Sequence, residues 1–337
     1  MTSNITRVGV LGAGQTAELN HLPVLAAMPD VEISWLCDLD KERAEHLARA
    51  YKVKSVYQDI GVCGDVDAVL VSIPVGLRRE PLETIFQRGW HALIEKPFAR
   101  TVEEHRWITE RADKAGVQLG AGLMRRFYHS TTAVQKALDS QIFGKIQEVW
   151  ASEMSQLRRT GRAGAWYQTD VSMAGGGVLM ETGAHLVDQV FQATGVTGIE
   201  NIETRFEFLE DIDLEYQGTA QASTRRHGSI PIHFSLTRTH EIYTGIVITC
   251  EAAEIEFDIT ADTPVAVRDR DGAEVCRLEV GGSWAKTWHQ AFYLEWAAFL
   301  EGCSSGQPSA ASPNTNLLAT QFIESSYQAG RAAEVSA

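Results

Sequence analysis

Arg7-Val8-Gly9-Val10-Leu11 runs directly into Gly12-Ala13-Gly14-Gln15-Thr16-Ala17, and a second apolar run, Val31 to Cys37, ends on Asp38. The first run reads as a buried strand, the glycine segment as a turn, and the amphipathic stretch to Met28 as a helix. Strand, glycine turn, helix, strand and terminal carboxylate are the parts of a dinucleotide-binding βαβ unit. Gly12 permits the tight turn, Gly14 lets the backbone approach a pyrophosphate, and Ala17 lets the helix close on the strand. Gln15 and Thr16 open that helix, where unpaired N–H groups and the helix dipole favour an anion. Asp38 lies about twenty residues past the glycines and is expected to accept hydrogen bonds from the adenosine ribose. A 2′-phosphate beside it would meet like charge, so the expected cofactor is NAD in preference to NADP. Lys41 and Arg43 are the nearby cations that temper this preference.

The chain has 337 residues, enough for two domains with cores of their own. Its hydrophobic content of 44% and charged content of 22% are those of an ordinary globular protein. A formal charge of -14 argues against nucleic-acid binding through broad electrostatics. No apolar stretch is long enough to span a membrane, so no membrane partner is expected. The start, Met1-Thr2-Ser3-Asn4, leads straight into the first strand without a basic or apolar leader. Cys37, Cys63, Cys250, Cys276 and Cys303 are scattered and odd in number, which suits a reduced cytoplasm and suggests neither a zinc pair nor a disulfide framework.

Along the chain, Pro23 predicts a kink or break near Asn20 to Leu22. Asp40 to Tyr51 has helical spacing, and Val66 to Ile73, closed by Pro74, reads as a buried parallel strand. Glu80 to Gln87 is helical, His91 to Ile94 a strand that ends in Glu95-Lys96-Pro97, and Thr101-Val102-Glu103-Glu104 a capping box opening the next helix. Val117 to Leu123 closes the alternation, giving a doubly wound parallel sheet over 1–123. Residues 124–337 change character. Tyr128 to Asp139 and Gly177 to Ala193 read as helices, and Ile199 to Val280 as a largely antiparallel sheet. In Pro231 to Glu241, Ile232, Phe234, Leu236 and Arg238 alternate with His233, Ser235, Thr237 and Thr239. Helices follow over Trp284 to Glu301 and Asn314 to Gly330, the latter expected to return to the first domain. The expected fold is therefore an N-terminal Rossmann sheet followed by an α+β domain with a large, mostly antiparallel open sheet.

Three further segments carry chemistry: Glu95-Lys96-Pro97, Gly122-Leu123-Met124-Arg125-Arg126-Phe127, and the block Gly175-Gly176-Gly177-Val178-Leu179-Met180-Glu181-Thr182-Gly183-Ala184-His185-Leu186-Val187-Asp188. Singly, each has a plainer reading, as a surface lysine, a solvated helix face or a flexible glycine loop. Together with the opening motif, and in this order, they resemble the Gfo/Idh/MocA family (glucose–fructose oxidoreductase, inositol dehydrogenase and relatives). The resemblance covers essentially the whole chain, and the Met-Arg-Arg-aromatic run looks most like inositol dehydrogenases.

The resemblance implies an NAD(P)-linked oxidoreductase acting on a secondary hydroxyl or ketone of a sugar, inositol or related polyol. The family lysine maps onto Lys96 and the family histidine onto His185. Glu181 stands where the family usually has aspartate, and at i and i+4 it shares a helix face with His185. In the implied mechanism His185 takes the hydroxyl proton, Lys96 stabilises the developing alkoxide, and Glu181 orients the substrate or the histidine. Ile73, Pro74, Glu95 and Lys96 are expected to join the glycine turn at the cofactor. Arg125 and Arg126 are expected at the substrate, with Trp166 and Tyr167 stacking on a sugar face and Arg158 holding an anionic group. A second departure, Val75-Gly76-Leu77-Arg78 after the proline, points to Arg78 as an anion ligand. No metal site is expected. The same fold also admits an NAD-retaining glycosidase-type or internal-redox enzyme, or a non-catalytic dinucleotide or sugar sensor. In the family the open sheet commonly joins subunits, which implies a homodimer or homotetramer.

Overall fold

The computed structural model describes residues 5–155, 170–261, 264–279, 281–282 and 284–336. The first domain is built on β1 (Thr6–Leu11), β2 (Val31–Cys37), β3 (Ser55–Tyr57), β4 (Ala68–Val71), β5 (His91–Glu95) and β6 (Leu119–Gly122). They form one parallel sheet in the order β3-β2-β1-β4-β5-β6. The chain reverses direction across the sheet between β1 and β4, which opens a crevice at the carboxyl ends of these strands. The β4 residues are buried throughout, because helices cover both faces. The helix after the glycine turn is broken as Pro23 requires. A π-helical turn, Ala17–His21, gives way to α1 (Leu22–Ala27), whose first turn holds the proline where its missing N–H has no partner to lose.

Next come α2 (Lys41–Tyr51), α3 (Arg79–Gln87) and α4 (Val102–Ala115). The predicted capping box is half formed. Thr101 accepts from the Glu104 N–H at 3.0 Å, but the Glu104 carboxylate bonds the backbone and guanidinium of Arg100 instead of returning to Thr101. An adjacent arginine offers that carboxylate charge-assisted bonds in place of a neutral one.

The second domain contains α5 (His129–Ser140), β7 (Ile146–Met154), α6 (Val171–Ala174) and α7 (Ala184–Thr194). These are followed by β8 (Val196–Leu209), β9 (Ile212–Thr224), β10 (Gly228–Thr237), β11 (Gly245–Cys250), β12 (Glu254–Phe257), β13 (Val265–Arg268) and β14 (Glu274–Leu278). With β7 they form an eight-stranded sheet in the order β14-β13-β12-β11-β7-β10-β9-β8, in which only β7 and β10 run parallel. Alternation along β10 buries Ile230, Ile232, Phe234 and Leu236 beneath the helices. The other face carries Trp150, 52% exposed and stacked on His233 with ring centroids 4.0 Å apart.

Two long helices, α8 (Trp288–Ser305) and α9 (Leu317–Ser336), end the chain. In α8, Ala291, Phe292, Trp296 and Phe299 enter the core of the first sheet beside Val8, Val10 and Leu93. In α9, Ala319, Phe322 and Ile323 lie in the second core, and contact with the first domain is polar: His105 with Thr320, and the Val102 N–H with Glu324. The apolar return to the first sheet is thus made by α8, ahead of the expected segment. No helix among the described residues is long and apolar enough to cross a membrane.

Candidate active site

The glycine turn follows β1 directly. Gly12 sits at φ +98°, and a Cβ there would lie 2.3 Å from the Ser72 carbonyl oxygen. Only glycine relieves both constraints. A Cβ on Gly14 would meet nothing within 4 Å, so this face of the turn is open. It is a cradle that a side chain would fill and a pyrophosphate fits. Gln15 and Thr16 follow on the rim, with Ala17 buried beneath. Asp38, at the end of β2, accepts from the Ala13 N–H at 2.6 Å and the Asp40 N–H at 2.8 Å. These bonds aim the carboxylate at the glycine turn. The two nearby cations are paired: Arg43 with Asp40 at 2.9 Å and Lys41 with Glu45 at 3.6 Å.

Ile73 and Pro74 follow β4 on the same edge. Arg78 is buried. Its guanidinium donates to the carbonyls of Ile73, Glu95 and Pro97, at 2.9, 2.7 and 2.5 Å. It ties the ends of two neighbouring strands to the Glu95-Lys96-Pro97 turn, whose Lys96–Pro97 peptide bond is cis.

Behind Lys96 lies a buried chain of hydrogen bonds. The Trp296 indole donates to His21 Nδ1 at 2.9 Å, so the neutral ring carries its proton on Nε2 and donates to Glu95 at 2.8 Å. Glu95 in turn accepts the Lys96 N–H at 2.9 Å. Burial would push the Glu95 carboxyl up, but His21 and Lys96 outweigh it and hold the group below the usual range. Nearby Glu295, on α8, is fully buried, and neither carboxyl oxygen has a side-chain or backbone partner within hydrogen-bond geometry among the described residues. Burial first, and the charge of Glu95 next, push its carboxyl well above the ordinary value, which favours the protonated form.

The second domain brings Glu181 and His185 opposite. The predicted helix begins with a π-helical turn, Leu179–Gly183, before α7. Such turns widen the helix and recur where side chains must be re-aimed. Asp213, fully buried, caps this start: its carboxylate accepts the N–H groups of Gly177 and Leu179 and the Tyr327 hydroxyl, at 2.5, 2.8 and 2.7 Å. Gly177 has no room for a Cβ, which would lie 2.0 Å from the Asp213 carbonyl oxygen.

Lys96 Nζ donates to the Glu181 carbonyl at 3.2 Å, joining the two domains at one residue. The Glu181 carboxylate pairs with Arg238, which continues the inward register of β10. His185 is buried, and its Nδ1 has no partner among the described residues. Burial, then the charges of Arg125 and Lys96, hold its imidazole well below the ordinary value, so it is a neutral base at pH 7.

The two arginines after β6 make protein contacts. Arg125 donates to both Glu153 oxygens at 2.8 Å, leaving its Nε without a partner among the described residues. Arg126 bonds Asp188 twice and also Ala310, Ser312 and Thr315, bracing α7 against the segment before α9. Each of its three guanidinium nitrogens has a partner within the protein. Arg158, Trp166 and Tyr167 lie outside the described residues. Sequence reading missed His21, Asp213, Arg238 and Glu295. Only Arg238 left a visible signal there, as a cation in the register of an apolar face.

Residues 6–123 match the Gfo/Idh/MocA oxidoreductase family, described as having an NAD-binding Rossmann fold. The chain is 29% identical to the D-glucoside 3-dehydrogenase of Escherichia coli (strain K12), over 60% of this chain and 58% of that protein. It is 26% identical to the scyllo-inositol 2-dehydrogenase (NADP(+)) of Bacillus subtilis (strain 168), over 61% of this chain and 57% of that protein. The matched stretch thus spans little more than half the length of these relatives. Among solved structures, a 3-ketoreductase from Actinomadura kijaniata in complex with NADP and TDP-benzene aligns with a TM-score of 0.82 at 20% identity, covering 97% of this chain and 98% of that one. The aldose-aldose oxidoreductase of Caulobacter crescentus, complexed with glycerol, aligns at 0.84 and 18%, covering 98% of each chain. At such identities the structural likeness establishes the fold.

Proposed function

The chain belongs, through its first domain, to the Gfo/Idh/MocA oxidoreductase family, and from that premise we propose that it transfers a hydride between a sugar- or polyol-type secondary alcohol and a nicotinamide dinucleotide. The observation that carries the reading is the 3.2 Å hydrogen bond from Lys96 Nζ to the Glu181 carbonyl. It brings the lysine of the dinucleotide domain to the helix that holds His185.

Gly12 to Ala17 would hold the pyrophosphate and Asp38 the ribose, and Ile73, Pro74, Glu95 and Lys96 would line the remainder of the cofactor's path. The nicotinamide supplies the hydride acceptor. His185, neutral and buried, takes the hydroxyl proton. Lys96 donates to the same oxygen and stabilises the charge that develops as the proton leaves. Glu95 and Arg78 fix the lysine's backbone from behind and beside it. Asp213 fixes the histidine's helix. NAD is the favoured cofactor, because the two cations beside Asp38 already have carboxylate partners.

The outer face of the second sheet, with Trp150 and His233 at its centre, is proposed as the contact between subunits of a homo-oligomer. The function is tested by following reduced-nicotinamide absorbance with NAD or NADP and a panel of inositols, sugars and sugar acids. The expected result is reduction by one compound class, faster with NAD. Dinucleotide binding without reduction by any compound would overturn the dehydrogenase reading.

A further inference from the structure

Arg238 has no part in the mechanism above, yet it sits at the junction of the two domains. Its side chain is 3% exposed, and one guanidinium nitrogen, Nη2, meets the Glu181 carboxylate. The other, Nη1, is buried and has no partner among the described residues. A buried donor left without an acceptor costs about 1–3 kcal/mol, and folded proteins keep few of them. An acceptor supplied from outside the fold removes that cost. Arg125, whose charge acts on His185, also leaves its buried Nε unpartnered, so two arginines at one site hold an unmet donor.

The chemistry of that acceptor follows from the residue type. A neutral hydroxyl can be read by an amide or another hydroxyl, without burying a cation. A guanidinium in such a place matches a planar oxyanion, which its fixed fork receives with charge-assisted bonds. Four nearby carboxylates are already engaged: Glu181 with Arg238, Glu153 with Arg125, Asp188 with Arg126, and Glu95 with His21. The Lys96 ammonium, by contrast, is hydrogen-bonded to a backbone carbonyl. An anion arriving at Arg238 therefore meets a paired acid and an open donor.

We infer that Arg238 determines specificity at this site by holding a carboxylate of the substrate, so that the polyol taken is a sugar acid. This deepens the dehydrogenase reading and rests on it for the location of the substrate. The glutamate at 181 fits the assignment. It reaches Arg238, orients the fork and offsets its charge until the substrate arrives.

The test is calorimetric titration of the NAD-loaded protein with D-glucuronate, D-galacturonate and D-gluconate, each beside its neutral parent D-glucose, D-galactose or D-glucitol. The expected result is that at least one acid binds about tenfold or more tightly than its parent. Arg238→Met should abolish that preference while leaving NAD affinity intact. The double variant Glu181→Gln/Arg238→Met, which leaves no unpaired charge behind, should do the same and guards against a folding defect. Neutral parents binding as tightly as their acids, or a preference that survives in both variants, would overturn the inference. Arg238-dependent acid binding without NAD reduction would overturn the hydride-transfer reading and leave this one standing.

Discussion

Lys96 and His185 come from different domains and, in the proposed mechanism, act on one oxygen, so their substitution should affect turnover far more than cofactor binding. Lys96→Ala is expected to lower kcat about 10²–10³-fold, the usual effect of removing one oxyanion donor. Its dinucleotide affinity, read by fluorescence titration, should change only a few-fold, since Asp38 and the glycine turn remain. His185 also sets a pH signature. Its folded pKa lies below the unfolded value, so on acidification the unfolded chain takes up a proton that the folded one refuses. Stability should therefore fall as pH drops below about 6.5, and His185→Gln should flatten that part of a denaturation-against-pH curve. At this scale the sequence was readable for placement: Asp38 and Lys96 follow strands of the first sheet, and His185 lies on the helix whose start meets Lys96. It was not readable for Asp213, because an aspartate in a strand of exposed and buried residues gives no sign of the helix end it caps. Arg126 shows the opposite limit: a charged residue beside a site looks like a ligand, while in the fold each of its three guanidinium nitrogens has a protein partner.

Among the elements, the π-helical start of the His185 helix and α8 carry the arrangement. Asp213 satisfies two backbone N–H groups and a tyrosine hydroxyl that would otherwise be buried without acceptors. Asp213→Ala should destabilise the protein by about 3 kcal/mol in urea unfolding, the combined effect of a lost cap and unmet buried donors. Tyr327→Phe removes one of these bonds and should cost about 1 kcal/mol. In α8, Glu295 has a folded pKa well above its unfolded one. Its stabilising contribution is thus complete at low pH and is lost as pH rises above the unfolded value. Glu295→Gln mimics the protonated form, so its melting temperature should exceed that of the wild type by a margin that grows between pH 5 and pH 8. No such margin would mean the carboxyl is ionised in the fold. The periodicity of α8 was legible as a helix, but its destination was not. Both terminal helices present apolar faces of similar quality, and only the three-dimensional path shows that Phe299 lands on Gly120 of β6, where a Cβ would come within 2.9 Å of its ring.

Across the whole molecule, two sheets of different construction meet so that the carboxyl edge of the first faces the His185 helix of the second. Alternating strands and helices made the first sheet legible from periodicity alone, and turn-separated β-rich runs did so for the second. Strand order and the single parallel pair, β7 with β10, depend on long-range pairing that no local pattern encodes. The outer face of the second sheet exposes Trp150 in a position normally held by polar side chains. Trp150→Glu is expected to shift sedimentation from an oligomer to a smaller species, and an unchanged sedimentation coefficient would place the subunit contact elsewhere.

In the proposed mechanism one hydroxyl oxygen lies between Lys96 of the first domain and His185 of the second. This arrangement is tested most directly by single-turnover hydride transfer, in which a compound that reduces NAD in the wild-type reaction is mixed with saturating NAD and either wild type or Lys96→Ala. A fast rise of reduced nicotinamide is expected with wild type, and a rate slowed by about a hundredfold or more in a variant that still binds NAD. Transfer at the wild-type rate in Lys96→Ala would contradict it.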